Sequence, residues 1–339
     1  MSNSTCVRWG ILGTARIATK VAAAIHEANN AELLAVASRD AERASLWADG
    51  HEAQVSYGSY EALLAADDID AVYIPLPPSM HREWTIRAAE AGKHVLCEKP
   101  LALDPSEAAE MRDACRSHNV QLMDGVMWRH HPRANDMAVV LTDDQLGTLR
   151  RVTSAFSFCW PEIPQNEFRL ERKYGGGSLL DLGWYCVGAT LWAFGDLPTR
   201  VWGQARMHGD VDMHFCGQMW YDDERSASFD CGFDTVMRRW LEVAGTEGSL
   251  VCDDFTRPWK PEKPRFWVHD STGEATQIVS DPPIQEVCMI RKFSNIVQSG
   301  ILEPEWAEFA VKVQQVCDAL DRSAQSGAVV ELNPEAATS

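Results

Sequence analysis

Cys6-Val7-Arg8-Trp9-Gly10-Ile11-Leu12-Gly13-Thr14-Ala15-Arg16-Ile17-Ala18 is the stretch that decides the fold. Cys6 to Leu12 reads as a buried strand, Gly13 as a tight turn and Arg16 to Ala28 as a helix. Set against the pattern G-x-G-x-x-G/A, the marked positions are Gly13, Ala15 and Ala18. Gly13 makes the turn, Ala15 stands where the backbone approaches a pyrophosphate, and Ala18 lets the helix pack closely on the strand. The unpaired N–H groups around Thr14, Ala15, Arg16 and Ile17 would then face the phosphates. Alanine in the second position departs from the pattern.

The rhythm set by this stretch continues. Further strands are expected at Glu32–Ser38, near Gln54-Val55, and at Ile69–Ile74, His94–Glu98 and Val120–Asp124. Helices are expected at Asp40–Asp49, after Ser59, at Met80–Ala91 and after Asp104. Strands alternating with helices imply parallel βαβ units. Beyond residue 127 the texture changes. Arg150–Trp160, Thr199–Met207, Phe215–Tyr221, Ser226–Phe233 and Arg239–Ala244 alternate apolar and polar residues like half-buried strands of a mostly antiparallel sheet. Helices are expected at Ser178–Phe194, Ile284–Gln298 and Glu305–Ser326. The fold class is an α/β Rossmann domain followed by an α+β domain with a large, mostly antiparallel sheet. The expected boundaries are 1–127 for dinucleotide binding and 128–339 for substrate binding and oligomerisation.

Composition narrows the function classes. With 339 residues and a formal charge of −18, the surface disfavours nucleic acid and anionic membranes as partners. Ten scattered cysteines form no CxxC pair, so neither a metal knuckle nor a disulfide framework is expected. Met1 to Thr5 lacks a basic or apolar leader, and no long apolar run is present. A cytoplasmic protein without a metal is the expectation.

Three more places carry chemistry. The second strand ends in Ser38-Arg39-Asp40. A free ribose 2′-OH usually meets an acid at this point, whereas a hydroxyl and a guanidinium fork suit a 2′-phosphate, so NADP is expected over NAD, with NAD still possible. Pro75 and His81 flank the loop after the fourth strand, at the carboxyl edge where open α/β sheets bind ligands. His81 reads equally as a ligand contact or a helix-start strut. Cys97-Glu98-Lys99-Pro100 ends the fifth strand at the same edge and would hold the Lys99 ammonium near a nicotinamide, with Glu98 and Lys99 as candidate cofactor contacts. In the second half, Gly175-Gly176-Gly177 leads into Asp181 and Tyr185, four residues apart and so on one face of a regular helix. The three glycines let the chain pass close to a ligand or to another backbone. Tyr185 is the candidate proton donor and acceptor, with Lys99 close by to favour its ionised form, and Asp181 could orient substrate or Lys99.

Taken together, GILGTARIA at 10–18, SRD at 38–40, AGKHVLCEKPLAL at 91–103, MWRHHPR at 127–133, GGGSLLDLGWYCV at 175–187 and VAGTEGSLV at 243–251 resemble the glucose–fructose oxidoreductase / inositol dehydrogenase / rhizopine-catabolism (Gfo/Idh/MocA) family. Tyrosine at position 185 is similar to its dihydrodiol dehydrogenase, NADP-dependent D-xylose dehydrogenase and glucose–fructose oxidoreductase subgroup. The resemblance implies Lys99 and Tyr185 as the catalytic pair. It also implies Trp128, Arg129 and Phe158 at the substrate, and a homodimer or homotetramer joined through the large sheet. The implied activity is hydride transfer between NADP(H) and a sugar, cyclitol or trans-dihydrodiol. A non-catalytic nucleotide-binding regulator and an NAD-dependent glycosidase are the alternatives. His130 stands where the family's motif has phenylalanine.

Overall fold

The computed structural model describes residues 6–165 and 167–332; the leader-free reading of Met1 to Thr5 lies outside the described residues. The chain forms two compact units, residues 1–130 with 284–311 and residues 131–283 with 312–339.

The first unit alternates β1 (Val7–Leu12), α1 (Arg16–Glu27), β2 (Ala31–Ala37), α2 (Ala41–Gly50), β3 (Val55–Tyr57), α3 (Tyr60–Leu64), β4 (Ala71–Ile74), α4 (His81–Glu90), β5 (His94–Cys97), α5 (Pro105–Ser117) and β6 (Leu122–Asp124). The strands make one parallel sheet in the order β3-β2-β1-β4-β5-β6. This order reverses direction beside β1, and in doubly wound sheets the crevice at the reversal holds the dinucleotide. All four residues of β4 are buried, as a strand covered on both faces requires. Asp104 caps α5 through the N–H of Glu107, with Pro105 in the first helical position. The Glu107 carboxylate reaches back to the N–H of Leu103, 3.1 Å away.

The second unit contains α6 (Pro132–Thr142), β7 (Leu149–Cys159), α7 (Trp184–Phe194), β8 (Arg200–His208), β9 (Val211–Trp220), β10 (Ser226–Gly232), β11 (Asp234–Gly245), β12 (Ser249–Cys252), β13 (Arg265–His269) and β14 (Ala275–Val279). After α8 (Gln285–Ser299) come α9 (Glu305–Ser326) and β15 (Val330–Glu331). The nine strands run β14-β13-β12-β11-β7-β10-β9-β8-β15, and among the described pairings only β7 with β10 is parallel. One face buries Val152, Val201, Met219, Ala227 and Leu241. The register places Trp202, Trp220 and Trp240 together on the other face, opposite Gln218, Ser226 and Ala155.

Two features depart from the sequence reading. The units are discontinuous, whereas the texture changes once, near residue 127. Helix α8 places Val287, Met289, Ile290 and Phe293 in the core under β1, where Trp9 lies 5.1 Å from Phe293 and donates to Ser294 Oγ at 3.2 Å. The expected Ser178–Phe194 helix also opens with a π-helical turn, Leu179–Gly183, before α7. Among the described residues no helix is long and apolar enough to cross a membrane.

Candidate active site

At the switch point, Gly13 takes φ +111°, and a Cβ there would stand 2.9 Å from Leu76 Cδ2, so both conformation and space demand glycine. Its N–H is held by Ala37 O at 2.8 Å, tying the turn to the end of β2. Helix α1 begins at Arg16 after Ala15, with no side-chain cap. Ala15 O takes the Ala18 N–H at 2.9 Å, and the earlier N–H groups, without a side-chain cap, meet the condition for phosphate binding.

The end of β2 sorts its three polar residues into separate tasks. Ser38 is buried and its Oγ accepts from the N–H of Asp40 at 3.3 Å. Asp40 caps α2, its Oδ1 accepting from the N–H of Arg43 at 3.0 Å. Arg39 is exposed. Two residues escaped the sequence reading. Arg43, one helical turn beyond Arg39, lines an open cleft with Thr14, Asp40 and Trp47; the four-residue spacing was the signal. Tyr60 is buried with its phenol close to Gly13, and desolvation raises its pKa, partly offset by Arg39 and Arg43. A tyrosine opening a short helix gave no such signal.

Pro75, Glu98 and Lys99 follow the neighbouring strands β4 and β5 at the same carboxyl edge. Glu98 accepts from Tyr73 Oη at 2.6 Å and from the Lys99 N–H at 3.2 Å. The Lys99–Pro100 peptide is cis. His81 takes the strut role: it is fully buried, with Nε2 2.7 Å from Leu76 O and Nδ1 3.0 Å from Pro100 O. Burial lowers its pKa. It lies between the two loops that carry Pro75 and Lys99, the strut of the two roles expected of it.

Trp128 is buried. Arg129, expected at the substrate, has its guanidinium 4.0 Å from the Phe309 ring and 4.7 Å from the Trp306 ring. His130 stacks on Trp306 as a phenylalanine would.

In the second unit the glycine run serves the backbone more than open space. A Cβ at Gly176 would stand 2.6 Å from Arg169 O and 2.9 Å from Glu171 O, and one at Gly177 would run into the Asp212 carboxylate. That carboxylate accepts from Ser178 Oγ at 2.6 Å and the Leu179 N–H at 2.7 Å, and desolvation pushes its pKa up to about 6. Asp181 lies in the π turn, so the four-residue spacing to Tyr185 no longer implies a shared face. It pairs instead with Arg169 Nε at 3.0 Å, a partner no spacing announced. Tyr185 packs edge-on against Phe156. Phe158 belongs to an aromatic group with Trp160 and Phe233. Lys99 and Tyr185 reside in different units.

A doubly wound sheet with a phosphate-type turn at its switch point, followed by a large-sheet domain, is the architecture of a dinucleotide-binding protein. The chain belongs to the Gfo/Idh/MocA oxidoreductase family: residues 7–126 match its NAD-binding Rossmann model and residues 135–251 its C-terminal domain model. Among relatives, a D-xylose 1-dehydrogenase (NADP(+)) of Haloferax volcanii is 36% identical over 96% of this chain and 99% of that protein. Trans-1,2-dihydrobenzene-1,2-diol dehydrogenase of Xenopus laevis is 31% identical over 75% of this chain and 77% of that protein. A crystal structure of a 3-ketoreductase from Actinomadura kijaniata, in complex with NADP and TDP-benzene, superposes with TM-score 0.87 at 30% identity, covering 94% of this chain and 98% of that one.

Proposed function

We propose that this chain is an NADP(H)-dependent oxidoreductase acting at a carbinol or carbonyl carbon of a sugar, cyclitol or trans-dihydrodiol. The observation that carries the cofactor choice is the division of labour after β2. Asp40 caps α2 through one carboxylate oxygen while Arg39 stays exposed, with Arg43 one turn away, and the two guanidinium groups suit a 2′-phosphate. The Gly13 turn and the bare start of α1 supply N–H donors to the pyrophosphate.

NADP(H) supplies the site of hydride exchange. The protein supplies the proton: Tyr185 takes it from, or returns it to, the carbinol oxygen, and the Lys99 ammonium stabilises the phenolate. Convergence of these two groups is part of the proposal. Asp181, held by Arg169, orients substrate hydroxyls, with Trp128 and Phe158 as apolar walls. Arg129 is assigned to positioning Trp128, because its own guanidinium lies over ring faces.

The chain assembles as a homodimer or homotetramer through the open face of the nine-stranded sheet, and it works in the cytoplasm. The buried thiols of Cys97, Cys115, Cys186, Cys231, Cys252 and Cys317 support a reducing compartment; cell fractionation reads this directly. The activity is tested by incubating the protein with NADP and a panel of aldoses, cyclitols and trans-dihydrodiols. Absorbance at 340 nm should rise with at least one, and Lys99→Ala and Tyr185→Phe should each lower kcat by roughly 100- to 10,000-fold. A flat trace across the panel overturns the reading.

A further inference from the structure

The Glu98 carboxylate is held at both ends by groups of the first unit. Its Oε1 accepts from the phenol of Tyr73 at 2.6 Å, and its Oε2 from the main-chain N–H of Lys99 at 3.2 Å. Tyr73 is fully buried on β4, the strand beside β5, so one end of this bridge is anchored in the core. A short O–H···O⁻ bond from a buried donor is strong and directional. The neighbouring chain leaves space for the bridge only because residue 125 is glycine. A Cβ there would stand 2.7 Å from Oε1 and 3.0 Å from the carboxyl carbon. Two donors from neighbouring strands therefore hold one carboxylate, with Gly125 leaving room for it, and that carboxylate holds the peptide of Lys99.

We propose that Tyr73 is a positioning residue: through Glu98 it sets the main chain at Lys99 and so aims the ammonium at the reacting centre. The inference rests on the assignment of Lys99 to the reaction. Tyr73 itself touches no reactant in this account. Its removal lets the carboxylate rotate and the Lys99 peptide follow, and misplacement of a reacting group by a fraction of an ångström lowers turnover without changing how tightly the nucleotide is held.

The test is reductive ¹³C-methylation of the full-length protein, with the dimethyl-Lys99 signal assigned by its loss in Lys99→Arg. The native protein supplies the reference position of that signal. In Tyr73→Phe and in Gly125→Ala it should move toward the position of solvated dimethyl-lysines, while the thermal midpoint reports that the variant is folded. Should Tyr73→Phe not fold, Glu98→Gln serves the same comparison, because its amide nitrogen donates where an oxygen accepted. In turnover assays with NADP, kcat should fall roughly ten- to a hundred-fold while KM for NADP holds. An unchanged Lys99 signal in the folded variants overturns the proposal. A displaced signal together with no turnover by the native protein leaves the positioning intact and overturns the functional reading instead.

Discussion

At the scale of single residues, the cofactor site turns on which polar group is already engaged. Asp40 sits where an acid would select a free ribose hydroxyl, and one of its oxygens caps α2 through the N–H of Arg43. Arg39, exposed beside it, is the residue proposed to meet a 2′-phosphate. Hydrogen bonds to a charged partner contribute about 1.5 to 3 kcal/mol. Arg39→Ala should therefore weaken NADP binding by roughly ten- to a hundred-fold and leave NAD binding nearly unchanged, read by quenching of tryptophan fluorescence on titration. Equal losses for both nucleotides would show that Arg39 does not meet the 2′-phosphate. The sequence announced Arg39 because its place at a strand end is legible. It hid Tyr73, because a tyrosine inside Ala71-Val72-Tyr73-Ile74 reads as core, which it also is. It misplaced Arg129 because a cation in a motif suggests solvent or substrate, and only folding reveals that ring faces surround it.

At the scale of elements, the segment Met127–Pro132 bears two adjacent histidines that the fold keeps neutral. Desolvation drives the pKa of His130 down to about 3, helped by Arg129 and Lys292, and that of His131 down to about 4, helped by Arg133. Both values lie below the unfolded value near 6.5, so the unfolded chain binds more protons in acid. Their contribution is complete above about pH 6.5 and is lost as the pH falls toward 4 and then 3, at about 1.4 kcal/mol per pH unit for each histidine. Between pH 7.5 and 5 this amounts to roughly 2 kcal/mol each. His130→Phe keeps a ring on Trp306 and should remove about half of that sensitivity, measured as the pH dependence of the urea midpoint. A slope identical to that of the native protein would contradict it. Near α6 the Arg133–Asp254 pair is sealed from solvent, and Arg133 also donates to Asp254 O and Phe255 O at 3.0 and 3.2 Å. Such a pair holds the loop between β12 and β13, residues 253–264, in place, since loss of either partner would strand a buried charge. Strands β12, β13 and β14 went unread because they are only four or five residues long, and β14, at the edge of the sheet, is mostly exposed.

At the scale of the whole molecule, the doubly wound order was legible because parallel strands buried on both faces leave continuous apolar runs between turn residues. The large sheet was legible from alternation, as in β9, where buried and half-buried residues alternate without a break. What alternation cannot say is which surface covers a given apolar face. Helix α8 was expected as an amphipathic helix, but nothing in its period names β1 as its partner. The same limit applies to the open sheet face bearing Trp202, Trp220 and Trp240. If two copies meet there, sedimentation should give a dimer or larger species, and Trp240→Glu should shift it toward monomer while the far-ultraviolet dichroism is retained. A native protein that sediments as a monomer at micromolar concentration would refute that assembly.

The return of residues 284–311 to the first unit bears on how the polypeptide is born. As it leaves the ribosome, the nucleotide-binding half has its six strands early, but the pocket beneath Trp9 stays open until Phe293 and Ser294 arrive. For most of translation this half is a clamp missing its wedge, with apolar surface that a chaperone or a neighbouring nascent chain could seize. Early stop codons should therefore leave insoluble fragments more often than small working nucleotide binders.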